Sequence, residues 1–245
     1  MAAEAGGIHI AFAPYVLGNI GSFPVTATLL TSWVVVALLV VWAYFFSRSL
    51  KLVPGRGQVL VESTIGFAYD YVREVLEDES LARRYFPFIM TIFVFIAAAN
   101  LFGLLPFTGH ALTFHDAPLF YPVNTDLNMT LAMSVVAVLV IEFAGIAALG
   151  VLKYGSKFVN FHSVVGFCIG IIELISELAR LITFSFRLFG NIFAGKVLIL
   201  VALYFLPYFL PVPLLVYEVA VGIIQGAVFA LLTLFFIKIA VTEPH

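Results

Sequence analysis

The sequence predicts an all-α integral membrane protein, with about five membrane helices plus one amphipathic interfacial helix. The last two spans are expected to form a long, strongly tilted antiparallel hairpin. Three observations carry this prediction. Of 245 residues, 63% are hydrophobic and 11% charged, whereas a soluble domain carries about 25% charged residues. Apolar tracts long enough to cross a hydrocarbon core of about 30 Å recur along the chain. Lysine and arginine also cluster on one side of the layout those tracts imply. Polar surface is too scarce to cover a water-exposed globule, so the bilayer is the solvent.

The chain reads as one membrane domain in three parts: an external segment (1–25), peripheral helices with the interfacial helix (26–162), and the hairpin (163–245). No Lys or Arg occurs before residue 25, so the basic start of a cleaved signal peptide is missing and the first apolar tract is expected to stay in the membrane. That tract runs from Thr26 to Phe46, ends at Arg48 and Lys51, and is followed by the turn residues Pro54, Gly55, Arg56 and Gly57. From Gln58 to Leu76, Val61, Ile65, Ala68, Val72 and Val75 fall at helical spacing beside Glu62, Asp70, Arg73 and Glu74, the pattern of an interfacial helix. Glu77, Asp78 and Glu79 read as solvated loop. A second span covers Tyr85 to Leu105, a polar loop Thr108 to Asp126, and a third span Leu127 to Leu152. After a short basic loop come the tracts Ser163 to Phe205 and Leu210 to Val241, separated by a proline-rich turn. The first of these, at 1.5 Å per residue, is roughly twice the core thickness, so it is either two spans or one tilted helix. Two spans would break the charge asymmetry at Lys238, which favours the tilted helix.

Orientation follows from the basic residues. Arg48, Lys51, Arg56, Arg73, Arg83, Arg84, Lys153, Lys157 and Lys238 fall on one side, and residues 1–24, 106–126 and 206–213 contain no Lys or Arg. The positive-inside bias places the N-terminus outside and the C-terminus in the cytoplasm, as expected of a bacterial inner membrane protein. A net charge of −2 gives no sign of a nucleic-acid partner. Cys168, the single cysteine, excludes an internal disulfide and reads as a small core residue.

Arg180, Arg187, Lys196, Glu142, Glu173, Glu177 and Glu218 are left at membrane depth. Each would cost about 2.5–3.5 kcal/mol at a lipid-facing helix centre. Together that is roughly 20 kcal/mol, more than the typical net stability of about 5–15 kcal/mol. They must therefore face protein, one another or water. Glu173, Glu177, Arg180, Arg187 and Asn191 share one helical face, with Lys196 off that stripe, and Glu218 and Gln225 share another. Folding the two helices back about Leu206 and Pro207 brings Lys196 level with Glu218 and Arg187 near the level of Gln225. Gly190 with Ala194, and Gly222 with Gly226, are small pairs suited to close helix approach. An arginine cannot relay a proton, whereas a buried glutamate can take and give one. A fixed cation flanked by such acids suits a gated proton path. The alternative is a set of structural ion pairs locking the hairpin, with Lys196 and Glu218 the pair best suited to that role.

The run Arg187-Leu188-Phe189-Gly190-Asn191, with Ala194-Gly195 after it, resembles the signature of F-type ATP synthase subunit a. Similar to the family too are Ile172-Glu173-Leu174-Ile175-Ser176, Gln225 before Phe229 and Leu232-Thr233, Asn100 to Pro106, and Asp126 to Thr130. The resemblance covers most of the chain. It implies a non-catalytic, proton-conducting stator without a cofactor or metal. Its partners would be the c-ring, the peripheral-stalk subunit b, other synthase subunits and membrane lipid. Arg187 would face the rotating carboxylate and separate two offset half-channels. Asn191, Glu218, Gln225 and Asp126 would line the outer path, and Glu173 the cytoplasmic exit. One departure stands out: some members carry an acid at the position of Lys196 and a histidine at that of Glu218, so these two form either an ion pair or a titrating site here.

Asp126 serves equally as a helix N-cap. Glu142 matches no family role and is placed to neutralise Arg180. His9, His110, His115, His162 and His245 fall in loops, termini or an interface, without metal-ligand spacing. A secondary transporter would usually show internal repeats, and none is evident here. An intramembrane hydrolase would need a nucleophile and base, and no such constellation stands out.

Overall fold

The computed structural model describes residues 15–106, 108, 112–114, 117–155, 164–207 and 209–242. The five histidines and Lys157 lie outside them. Five helices are long and apolar enough to cross a membrane. They are α1 (Ala27–Arg48), α3 (Glu79–Gly103), α4 (Leu127–Leu149), α6 (Val164–Phe205) and α7 (Pro211–Val241). The amphipathic helix α2 (Arg56–Leu76) follows α1, and a five-residue α5 (Val151–Gly155) follows α4. The third span thus ends at Leu149, where Gly150 turns the chain at φ +82°.

α6 is a single helix of 42 residues with no break. That rules out two spans in this tract. Its length of roughly 63 Å exceeds the hydrocarbon core about twofold, so a helix this long fits a bilayer only by strong tilt or by projecting beyond it.

Two short ribbons are additions to the helical reading. β1 (Val16–Ile20) pairs antiparallel with β2 (Phe23–Thr26), and β3 (Thr113–Phe114) with β4 (Ala117–Pro118). Gly21, at φ +66°, makes the first turn. A 3-10 turn at Val123–Thr125 then leads into α4.

The chain divides into two compact units. The first comprises 1–38, 95–130 and 186–225, the second 39–94, 131–185 and 226–245. The second has an apolar core built from Val72 and Leu76 of α2, Tyr85 and Ile89 of α3, Ile141 and Ala144 of α4, and Leu234 and Ile237 of α7. Only the C-terminal half of α2 joins it, while Leu60, Ile65 and Phe67 stay exposed. The acidic run after α2 is more structured than a solvated loop. Glu77 caps α2 in the left-handed region and lies 3.3 Å from Lys238 Nζ, and Asp78 Oδ1 accepts from the Ser80 and Leu81 amides at the start of α3. Arg48, Lys51, Arg56, Arg73, Arg83, Arg84, Lys153 and Lys238 all belong to this unit. Cys168 is exposed, a correction to its reading as a core residue: in a membrane protein an apolar neighbourhood fits a lipid-facing surface as well as a core.

The first unit is unusual in what it buries. Alongside Ile96, Val123, Leu188 and Ile192 it encloses Thr28, Thr31, Asn100, Asn124, Asp126, Glu218 and Gln225.

Candidate functional site

The polar interior of the first unit begins where α1 meets the start of α4. Asp126 precedes α4 and accepts the Asn128 amide on Oδ1 (2.9 Å), as an N-cap does. Its Oδ2 accepts from Thr28 Oγ1 at 2.7 Å. Asp126 is thus both a cap and a buried tie between helices.

Beside it runs a network that hydropathy does not reveal. Asn124 Nδ2 donates to Asn100 Oδ1 at 2.6 Å, and Asn100 Nδ2 donates to the Gly222 carbonyl of α7 at 2.9 Å. Gly222 is required there, because a Cβ would lie 2.9 Å from Asn100 Cβ. Asn100→Leu would strand the buried Asn124 amide, at a cost of about 1–3 kcal/mol. Thermal unfolding of the purified chain is expected to move down accordingly; an unchanged midpoint would mean that the network contributes nothing.

Lys196 and Glu218 line a cavity of about 520 Å³ together with Tyr15, Asn100, Tyr121 and Thr125. They share a level, as expected, but they do not form an ion pair. Lys196 Nζ sits 3.3 Å above the centroid of the Tyr121 ring, buried and without a hydrogen-bond acceptor. The negative ring face attracts the ammonium where no carboxylate reaches it. Burial and the neighbouring Tyr15 push the Tyr121 phenol up to about 12, so the ring stays neutral throughout the physiological range. Glu218 lies instead against Gly195, where any Cβ would overlap its carboxylate. The close glycine approaches of this unit are therefore Gly195 with Glu218, Gly222 with Asn100 and Gly103 with Pro122. A Cβ on Gly190 would meet nothing within 4 Å among the described residues, so the expected role of the Gly190–Ala194 pair is not realised among them.

Seven residues back from Gly195 on α6 and seven on from Glu218 on α7 lie Leu188 and Gln225. This register puts Arg187 within a residue of the level of Gln225, which is itself buried. Arg187 is half-buried, and among the described residues it makes no ion pair, side-chain hydrogen bond or ring contact. Asn191, one turn on, is exposed.

The second unit holds the other polar group. Arg180 pairs with Glu177 at 2.6 Å, and its guanidinium stands 3.9 Å above the Phe236 ring of α7. Glu142 accepts from the Tyr154 hydroxyl at 2.9 Å, so it is not the acid paired with Arg180. Tyr154 fits because residue 145 is glycine: a Cβ there would overlap its ring. Phe184 packs on Phe229 and Phe236, at centroid separations of 5.0 and 5.7 Å, joining α6 to α7. Glu173 is half-buried on α6, one turn before Glu177.

The protein-family model described as ATP synthase A chain matches residues 29–238. Among similar proteins, the ATP synthase subunit a of Legionella pneumophila (strain Corby) is 30% identical over 237 residues, covering 94% of this chain and 90% of that protein. The ATP synthase subunit a of Moorella thermoacetica is 29% identical over 224 residues, covering 91% and 94%. That of Campylobacter fetus subsp. fetus is 30% identical over 215 residues, covering 86% and 90%. With the matched region reaching into all five membrane helices, the chain belongs to the ATP synthase A chain family.

Proposed function

We propose that this chain is the proton-conducting stator subunit of a rotary F-type ATP synthase, with Arg187 as the gate between two offset half-channels. The observation that carries the reading is the contrast among the four cations of α6 and α7. Arg180 has an acid and a ring, Lys196 has a ring and Lys238 has an acid, whereas Arg187 has none of these within the described chain. A half-buried guanidinium with no partner among the described residues is suited to a carboxylate supplied from outside, here the c-ring's. Because it keeps its proton, it attracts that carboxylate without passing a proton on.

Protons enter from the outside through the cavity lined by Lys196 and Glu218, supported by Asp126, and reach the ring past Asn191 and Gln225. They leave towards the cytoplasm along Glu173, with Glu177, Arg180 and Glu142 fixing the helices beside the exit. Each proton carries about 2.3 kcal/mol per 100 mV of membrane potential, which turns the ring. The chain performs no bond chemistry of its own. Its N-terminus lies outside and its C-terminus in the cytoplasm of a bacterial inner membrane, consistent with the grouping of basic residues in the second unit. Subunit b and the rest of the complex hold it stationary.

The test is Arg187→Ala in inverted membrane vesicles, following ATP-driven acidification with a pH-sensitive dye and assembly by co-purification with the c-ring. Pumping is expected to vanish with assembly intact; near-normal pumping would return Arg187 to a structural role.

A further inference from the structure

The corner between α1 and α2 plays no part in the polar site, yet it has a distinct construction. Trp42, Tyr44 and Phe45 are exposed near the end of α1, a composition typical of the membrane–water interface. Arg48 closes the helix with its guanidinium 4.6 Å from the Tyr44 ring centroid. The turn that follows is pinned from α2: Gln58 Oε1 accepts from the Lys51 amide at 3.1 Å, and Gln58 Nε2 donates to the Lys51 carbonyl at 3.0 Å. Held this way, the turn projects Leu52 and Val53, which are 105% and 85% exposed.

Arg48, Lys51 and Arg56 flank these two residues along the chain, and all three are exposed. Among the described residues none of them is ion-paired. The acid nearest in sequence is Glu62, which accepts from Gln58 Nε2 at 2.8 Å. A rigid turn that offers two bare aliphatic side chains to water would be costly, whereas at a bilayer surface those side chains enter the acyl boundary. The cations around them then sit at headgroup height, where guanidinium forks match phosphate oxygens.

From this geometry we infer that the α1–α2 corner, with Arg48, Lys51 and Arg56 flanking Leu52 and Val53 along the chain, binds anionic phospholipid headgroups. Charge complementarity selects the ligand. A phosphodiester lipid with net negative charge matches three unpaired cations, whereas a zwitterionic lipid brings its own ammonium and gains less. The site depends on the membrane-spanning fold and not on the role of Arg187, so pumping is not its readout.

The sequence contains two tryptophans, and Trp33→Phe leaves Trp42, beside the corner, as the sole tryptophan, excited selectively on the red edge of the absorption band. The full-length variant is reconstituted in phosphatidylcholine vesicles containing a minor fraction of either brominated phosphatidylglycerol or brominated phosphatidylcholine. Quenching of Trp42 is expected to show a preference for phosphatidylglycerol of about fivefold or more, the equivalent of one interfacial basic residue. Adding R48Q, K51Q and R56Q should bring the ratio close to one, while the charge-conserving R48K and R56K should retain it. Equal quenching by both lipids in the Trp33→Phe chain would overturn the assignment. So would a preference that survives removal of all three charges.

Discussion

Vesicles carrying Arg187→Ala should leak protons as well as fail to pump. In the intact protein a proton arriving from one half-channel meets a fixed positive charge before it can reach the other. At about 5 Å and an effective dielectric near 20, that charge contributes roughly 3 kcal/mol of barrier. Its removal is expected to raise passive proton flux on the order of a hundredfold. The half-buried position of Arg187, unpaired among the described residues, makes the substitution sterically mild, so the complex should still assemble. The leak is read as the decay of an imposed pH gradient with ATP hydrolysis blocked. A decay no faster than that of wild-type vesicles would show that Arg187 does not separate two aqueous paths.

Glu218→Leu is the second large effect. Leucine keeps comparable bulk against Gly195, so packing between α6 and α7 survives while the group able to exchange a proton is lost. A positioned acid–base group typically contributes about 10²–10⁴-fold, and ATP-driven acidification should fall by about a hundredfold or more. Glu218→Asp should restore part of it, since the carboxyl remains in the same cavity. If the leucine variant pumped normally, protons would have to enter by a route that avoids the cavity of Lys196 and Glu218.

Much of the fold was legible because hydropathy reports what the bilayer demands. The apolar tract Thr26 to Phe46 corresponds to the helix Ala27–Arg48, and the tract Leu210 to Val241 to the helix Pro211–Val241. The second span is less well marked. Its apolar tract begins at Tyr85, but α3 starts at Glu79, because the charged first turn at Glu79, Arg83 and Arg84 is helical without being apolar. The ribbon at residues 16–26 was missed for another reason: its strands hold Gly18 and Pro24 and lack clean alternation.

In the site, residue types were readable and partners were not. Lys196 and Glu218 were correctly brought to one level, since an antiparallel hairpin fixes that. No ion pair forms because Tyr121, from a loop distant in sequence, supplies a ring that the register of two helices does not contain. Glu142 repeats the lesson, with Tyr154 arriving from the small helix after Gly150. Asn100 and Asn124 carried no periodic signal, and their buried network exists only once α3, α7 and the turn before α4 come together. A polar residue at the end of an apolar span, inside a run resembling the family, was the clue available in the sequence.

The measurement that tests the central claim most directly is ATP-driven acidification by Arg187→Lys, with co-purification of the c-ring as the control. Lysine keeps the positive charge, but as a compact ammonium on a flexible stem that can release its proton when desolvated. If a permanent, non-relaying cation is the gate, pumping should be lost although charge and assembly are retained. Pumping near the wild-type rate would contradict the account, because any cation at this position would then suffice.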